Sequence, residues 1–277
     1  MTIRLRRLGR ELKHLRIQAG LTQEQVAELM ECSKGRIIYA ESGKGSRPSL
    51  EFIRALLDLY GVRDEDIRDA LVDLARRGRH KGWWTSYSDV FPAELPGWEE
   101  DATVIRTYDH IVPGLLQTPD YAKALFDGGM LDNRGAIERN VDARMRRQAI
   151  LRRDPPPQLW VILDETALRR LVGGPKVMRG QLTRLIELAD APNITIQVLP
   201  FEAGSHAAMT GAFYILDFGS LNQPSLVYVA TAAGSALLEK PEEVEQCTLV
   251  FNRAVLLAKS PDESIVFMKG LVDGLEG

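Results

Sequence analysis

The chain has 277 residues, 45% of them apolar and 26% charged, an ordinary globular composition and enough length for two domains of roughly 100–200 residues each. Its net charge of −3 argues, taken alone, against nucleic acid as a partner, but residues 1–54 carry eleven Lys/Arg and six Asp/Glu, a local +5 that leaves −8 for the rest. That asymmetry points to a basic binding module joined to an acidic body. The two cysteines, Cys32 and Cys247, stand outside any C-x-x-C or Cys/His cluster. A disulfide framework, a metal site and a cofactor are therefore not expected, and the thiols suit a reducing cytoplasm. The charged N-terminus has no apolar stretch behind it, and no run of about 18 apolar residues occurs, so neither signal peptide nor membrane span is expected.

The first 77 residues read as five helices. Leu5, Leu8, Leu12 and Leu15 recur at spacings of three and four, the apolar stripe of an amphipathic helix with arginines and Lys13 between. Gly20 ends it. Thr22-Gln23-Glu24-Gln25 fits a capping box, opening a second helix with Val26, Leu29 and Met30 on its inner face and a small Ala27 where another helix can cross. Ser33 caps a third helix stopped by Gly43. A fourth starts at Ser49 and buries Ile53, Leu56, Leu57 and Tyr60; Asp64 caps a fifth that buries Ile67, Leu71 and Leu74.

Residues 79–100 are irregular and aromatic, with Trp83, Trp84, Tyr87, Phe91 and Trp98 among prolines; packing between two domains suits them better than a free linker or a ligand pocket. Beyond lies an α+β pattern. Thr118-Pro119 starts a helix, and residues 135–153 form a long basic one ending at Pro155-Pro156-Pro157. Four strands are predicted, over 159–163, 194–199, 213–218 and 226–230. Asp164 caps a helix, Met178, Leu182, Leu185 and Ala189 mark another, and helices over 241–258 and 263–275 close the chain. The fold class is thus multidomain: an all-α domain over 1–78, the aromatic linker 79–100, and an α+β domain over 101–277.

Two short helices joined by a tight turn let the second enter the DNA major groove while the first braces it. The residues Gly20-Leu21-Thr22-Gln23-Glu24-Gln25-Val26-Ala27, then Ser33-Lys34-Gly35-Arg36-Ile37, then Glu41-Ser42-Gly43-Lys44 resemble the XRE family of lambda-repressor-like helix-turn-helix domains, over about residues 5–62. The resemblance implies that Gln23 donates to a phosphate, and that Ser33, Lys34, Gly35, Arg36 and Tyr39 form the exposed face of the recognition helix. Lys34 and Tyr39 would touch base edges, Arg36 a base or phosphate, and Lys44 and Arg47 the backbone. Arg16 and Glu41 sit where the family often buries an ion pair. Gly35 departs from many relatives, which carry a reading side chain there.

Residues 100–260 resemble the antitoxin-like C-terminal domain of actinobacterial regulators, among them the WhiJ-like sporulation regulators. The matching segments are 112–122 (Val-Pro-Gly-Leu-Leu-Gln-Thr-Pro-Asp-Tyr-Ala), 144–148 (Arg-Met-Arg-Arg-Gln), 163–169, 181–185 and 196–200; Ala230 stands where relatives commonly have an acidic residue. The resemblance implies a regulator of double-stranded operator DNA, modulated through this domain by a ligand or a small partner protein encoded nearby. An alternative is an antitoxin-like interaction module whose DNA binding is mainly autoregulatory. A homodimer is expected, since specific affinity normally comes from two half-sites. Catalysis is not expected: Asp164 and Glu165 suit a helix start, and His14, His110 and His206 are isolated. The basic helix can grip an anionic partner or simply be solvated, and the final helix, with Ile265, Met268, Leu271 and Leu275, can dimerise or dock on its own domain.

Overall fold

Four of the first five helices begin where a side-chain oxygen is available to an orphan backbone N–H. The computed structural model describes residues 3–43, 48–79, 82–91, 95–129, 134–219, 224–231 and 234–275, in two compact units, Met1–Ser86 and Tyr87–Gly277. The first holds α1 (Ile3–Gln18), α2 (Gln23–Leu29), α3 (Lys34–Ser42), α4 (Leu50–Leu59) and α5 (Glu65–Arg77). Thr22 and Gln25 close a full capping box on α2, while Ser33, Ser49 and Asp64 accept the first free N–H groups of α3, α4 and α5.

Leu5, Leu8 and Leu12 of α1 are buried with Val26, Ala27, Ile37, Ala40, Phe52, Ile53, Leu56, Leu57, Leu71 and Leu74. The tightest crossing, of α1 over α3, is set by two glycines. A Cβ at Gly9 would stand 2.3 Å from the carbonyl oxygen of Glu41, and Gly43, at φ +65°, ends α3 with its Cα-side face 2.8 Å from the Arg6 backbone by the same measure. Two predicted core residues lie elsewhere. Leu29 is 60% and Ile67 39% exposed; Leu29 ends α2, a helix of only seven residues, and Ile67 lies in the first turn of α5, before that helix reaches the core.

The second unit is an α+β domain around a six-stranded mixed sheet, β3-β2-β1-β4-β5-β6. Its strands are β1 (Val104–Asp109), β2 (Gln158–Asp164), β3 (Ile194–Leu199), β4 (Phe213–Asp217), β5 (Leu226–Thr231) and β6 (Gly234–Leu238). β1 runs parallel to β2 and β2 to β3, while β4, β5 and β6 add on antiparallel. The expected four strands become six because β1 and β6 carry weak sequence signals. β1, at the centre, mixes Arg106, Thr107 and Asp109 into an apolar run and satisfies them by pairing; β6 is an exposed edge that opens Gly-Ser-Ala, without β-branched residues.

The helices of this unit are α6 (Leu95–Asp101), α7 (Pro119–Asp127), α8 (Arg134–Arg147), α9 (Glu165–Arg169), α10 (Pro175–Ala189), α11 (Pro241–Leu257) and α12 (Pro261–Gly274). α11 covers one sheet face, burying Phe251 and Ala254 against Tyr108, Ile162, Phe213, Ile215 and Val227. The basic stretch read as one helix over 135–153 is α8 followed by a 3-10 segment, Gln148–Arg152. α12 docks on its own unit, against α10, α9 and β3, with Met268 and Ser264 fully buried. Trp98 is buried against Phe218 in the same unit, ring centroids 5.8 Å apart.

The crossing of α1 and α3 makes a signed prediction. Gly9→Ala, which must push backbone apart, is expected to destabilise the first unit by about 1–3 kcal/mol. Gly35→Ala, whose Cβ would meet nothing nearer than 3.9 Å, is expected to stabilise it by a few tenths, up to about 1 kcal/mol. Chemical denaturation of both variants reads the two signs directly.

Candidate nucleic-acid interface

α3 divides cleanly into two faces. Ile37, Ala40 and Glu41 point into the core, while Lys34, Ile38 and Tyr39 are exposed, the last two at 40% and 54%, with Gly35 and Ser42 partly so. Positions 34, 35, 38, 39 and 42 make one continuous stripe at helical spacing. Ile38 was not singled out in the sequence; its signal is the spacing of four from Lys34 to Ile38 and of four again to Ser42. An exposed isoleucine amid polar positions offers the kind of apolar contact that a thymine methyl accepts.

The remaining predicted contacts fall in three places. Arg36 leaves the stripe: its guanidinium lies 4.1 Å from the ring centroid of Phe52, on α4. The Gln23 amide donates to Glu41 Oε2 at 2.8 Å, so in this structure it braces α2 against α3. Ser33 is the N-cap of α3, its hydroxyl accepting from the Arg36 N–H. Lys44 and Arg47 lie outside the described residues.

Arg16 reaches Glu41 through two bonds, Nε to Oε1 at 2.6 Å and Nη2 to Oε2 at 3.1 Å, and its Nη1 donates to the Leu21 carbonyl at 2.7 Å. With Gln23 as a third donor, this buried carboxylate ties α1, α2 and the turn before α2 to α3. Lys34 is held by Glu24 in a surface ion pair, and that hydrogen bond draws the Glu24 carboxyl below its ordinary range. A lysine offered to DNA therefore leaves a carboxylate of its own chain.

In the second unit, three of the sequence segments quoted above, 112–122, 144–148 and 181–185, meet. Gln117 Nε2 donates to the Val112 carbonyl, Gln148 Nε2 to the carbonyls of Gly114 and Gln117, and Gln181 Nε2 to that of Leu116. The loop 112–118 is thus bracketed by amides from the 3-10 segment after α8 and from α10. Beneath it, Arg147 holds the fully buried Glu99 and Arg144 Nη1 donates to Gln117 Oε1 at 2.8 Å. Arg139 pairs with Asp89, and Arg153 donates to the carbonyls of Glu100 and Ala102. The arginines of the basic stretch named here serve partners in their own unit.

Asp109, at the end of β1, is 4% exposed, and burial pushes its carboxyl up to about 7. Hydrogen bonds oppose that push: the Thr107 hydroxyl, 2.7 Å from Asp109 Oδ2 and 2.9 Å from the Phe213 carbonyl, and Tyr214 both draw the carboxyl down, and burial outweighs them.

Asp164 and Glu165 face different tasks. Asp164 Oδ1 caps α9 at Thr166 N, 2.9 Å away, and its Oδ2 accepts from the Tyr108 hydroxyl at 3.0 Å. Against the upward push of burial, these bonds hold its carboxyl below the ordinary value. His206 Nε2 stands 3.8 Å from the same oxygen. Glu165 is turned away, bound to the Phe201 N–H and to Arg169. Among the described residues no group of His, Cys, Asp and Glu could hold a metal.

Residues 7–71 match the model of a helix-turn-helix domain, and residues 93–270 match a domain of unknown function, DUF5753. The latter spans more than half of the chain. The protein belongs to the DUF5753 family. It joins that domain to an N-terminal helix-turn-helix domain, the architecture of DNA-binding regulators, and the α2–turn–α3 geometry falls inside the matched range. No curated protein and no solved structure matches the chain. Among the described residues, no helix is long and apolar enough to cross a membrane.

The state of Asp109 in the DUF5753 unit has a consequence for stability. Its folded pKa is raised above the unfolded value, so the native state binds the extra proton and the contribution is lost as pH rises through about 7. Relative to wild type, Asp109→Asn is expected to gain stability between pH 5 and 8, by up to about 1.4 kcal/mol per pH unit below that value. Parallel denaturation curves of the two proteins across this range measure the difference.

Proposed function

We propose that this chain is a sequence-specific transcriptional regulator of the XRE, lambda-repressor-like type, which binds a palindromic operator as a homodimer. Its second unit receives the regulatory signal, in the manner of the WhiJ-like actinobacterial regulators. The observation that carries the reading is the outward stripe of α3. Lys34, Ile38 and Tyr39 offer a cation, an apolar contact and a phenol at spacings that one major groove can accept together. The buried Arg16–Glu41–Gln23 cluster supports it by fixing α3 against its brace.

A dimer follows from affinity: one such module buries little surface on DNA, and two half-sites a helical turn apart supply the remainder. The protein acts in the cytoplasm, without a cofactor. The second unit is taken as a receiver rather than an enzyme, because Glu165 is occupied by Phe201 and Arg169 and Asp164 by the cap of α9 and by Tyr108. Its input is a small ligand or a small partner protein.

Selection of bound sequences from a random DNA pool tests the reading. An enriched palindrome with half-sites about one turn apart is expected, and recovery of no preferred sequence would sink it. On that operator, Lys34→Ala and Tyr39→Ala are each expected to relax preference at one base pair, at a cost of about 1–3 kcal/mol. Unchanged footprints in the double variant would remove both from the reading face. Glu24→Gln, which frees Lys34, is expected to raise affinity about two- to fivefold at low salt, with the gain shrinking as salt is added.

A further inference from the structure

Among the described residues, four arginines hold a carboxylate in the same way, through the edge formed by Nε and Nη2. Arg16 does so with Glu41, Arg106 with Asp217 at 3.1 and 3.2 Å, Arg139 with Asp89 at 2.9 and 3.0 Å, and Arg147 with Glu99. This is the planar fork geometry in which guanidinium and carboxylate match. Arg144 presents the same edge. Its Nη1 is tied to Gln117 Oε1, which sets the rotation of the guanidinium, and its Nε is buried with no hydrogen-bond partner among the described residues.

We propose that Arg144 reads the carboxylate of a small-molecule ligand, in a site it forms with Gly114, Gln117, Phe126 and Arg170. The Phe126 ring, 4.8 Å from the guanidinium carbon, stacks on one face of Arg144 and offers an apolar wall to the body of the ligand. Gly114 keeps the approach open: a Cβ there would stand 3.5 Å from Arg144 Nε and 3.2 Å from Arg147 Nη1. Arg170 is exposed, and it and Arg144 both act electrostatically on the Tyr121 phenol, whose pKa burial raises.

The charge around the site favours an incoming anion. Glu99 is committed to Arg147, and Asp109 is engaged by Thr107 and Tyr214. Burial, together with Arg147, lowers Arg144 to about 10, which leaves it cationic at neutral pH. A carboxylate accepting from Nε and Nη2 would give the buried Nε an acceptor and match the charge, as in the four internal pairs. This inference rests on the reading of the second unit as the regulatory one, but its test does not depend on DNA.

The test uses the full-length protein with ¹⁵Nε-labelled arginine. The Arg144 Nε–H resonance, assigned by its loss in Arg144→Lys, is followed while acetate or benzoate replaces chloride at constant ionic strength. A saturable shift is expected, together with a rise in Tm of about 3 °C when the carboxylate reaches ten times its Kd. Both effects should vanish in Arg144→Lys, which keeps the charge and loses the fork, and affinity should fall several-fold in the surface variant Arg170→Gln. Absence of a saturable shift up to roughly 100 mM carboxylate, in the millimolar regime of weak ligands, would overturn the proposal. So would an equal response to inorganic phosphate and acetate, or one that survives in Arg144→Lys. If carboxylate binds but leaves operator affinity unchanged, the site stands and the regulatory reading of it fails.

Discussion

The Glu41 carboxylate is the point on which the first unit turns. It accepts two bonds from Arg16 and one from Gln23 while almost fully buried, so three donors replace the water it lost on folding. Removing one partner of such a cluster leaves an uncompensated charge and typically costs about 3–5 kcal/mol, a large share of a small domain's stability. The cluster also works by placement. Glu41 sits in the last turn of α3, one backbone carbonyl away from the Gly9 crossing, so the electrostatic clamp and the tightest steric contact bear on the same turn. Between them they fix the rotation of α3 about its axis, and with it the side chains that face outward.

The second unit uses the same chemistry for a different end. There, amide groups of Gln117, of Gln148 just after α8 and of Gln181 on α10 hold the backbone of the loop 112–118, and Glu99 matches the charge of Arg147 beneath it. A loop with the carbonyls of Val112, Gly114, Leu116 and Gln117 each met by a side-chain amide resists piecemeal shifts.

Much of the first unit was legible because its signals are local. Thr22, Ser33, Ser49 and Asp64 start helices and Gly43 ends one for reasons contained in four or five residues, and the leucine stripe of α1 names its own buried face. Gly9 was not legible: in sequence it is a helix-interior glycine that only lowers stability, and the carbonyl it makes room for is more than thirty positions away. Leu29 misled because a period of 3.6 says nothing about where a seven-residue helix ends. In the second unit β1 escaped notice since Arg106, Thr107 and Asp109 break the apolar run; their partners Asp217 and Phe213 are supplied by β4, over a hundred residues later. The order of the arginines in 144–148 was visible, but whether they faced solvent or each other's carbonyl and carboxylate partners depended on the same long-range packing.

The two faces of α3 share no residue. Ile37, Ala40 and Glu41 are buried in the fold, whereas positions 34, 35, 38, 39 and 42 face outward, with only local contacts such as the Lys34–Glu24 pair. Substitutions on the outer set can therefore accumulate with little penalty to the scaffold. A lineage carrying this domain is free to vary the outward surface of α3 while its architecture stays put. The same separation makes the helix a ready cassette for rewriting by design.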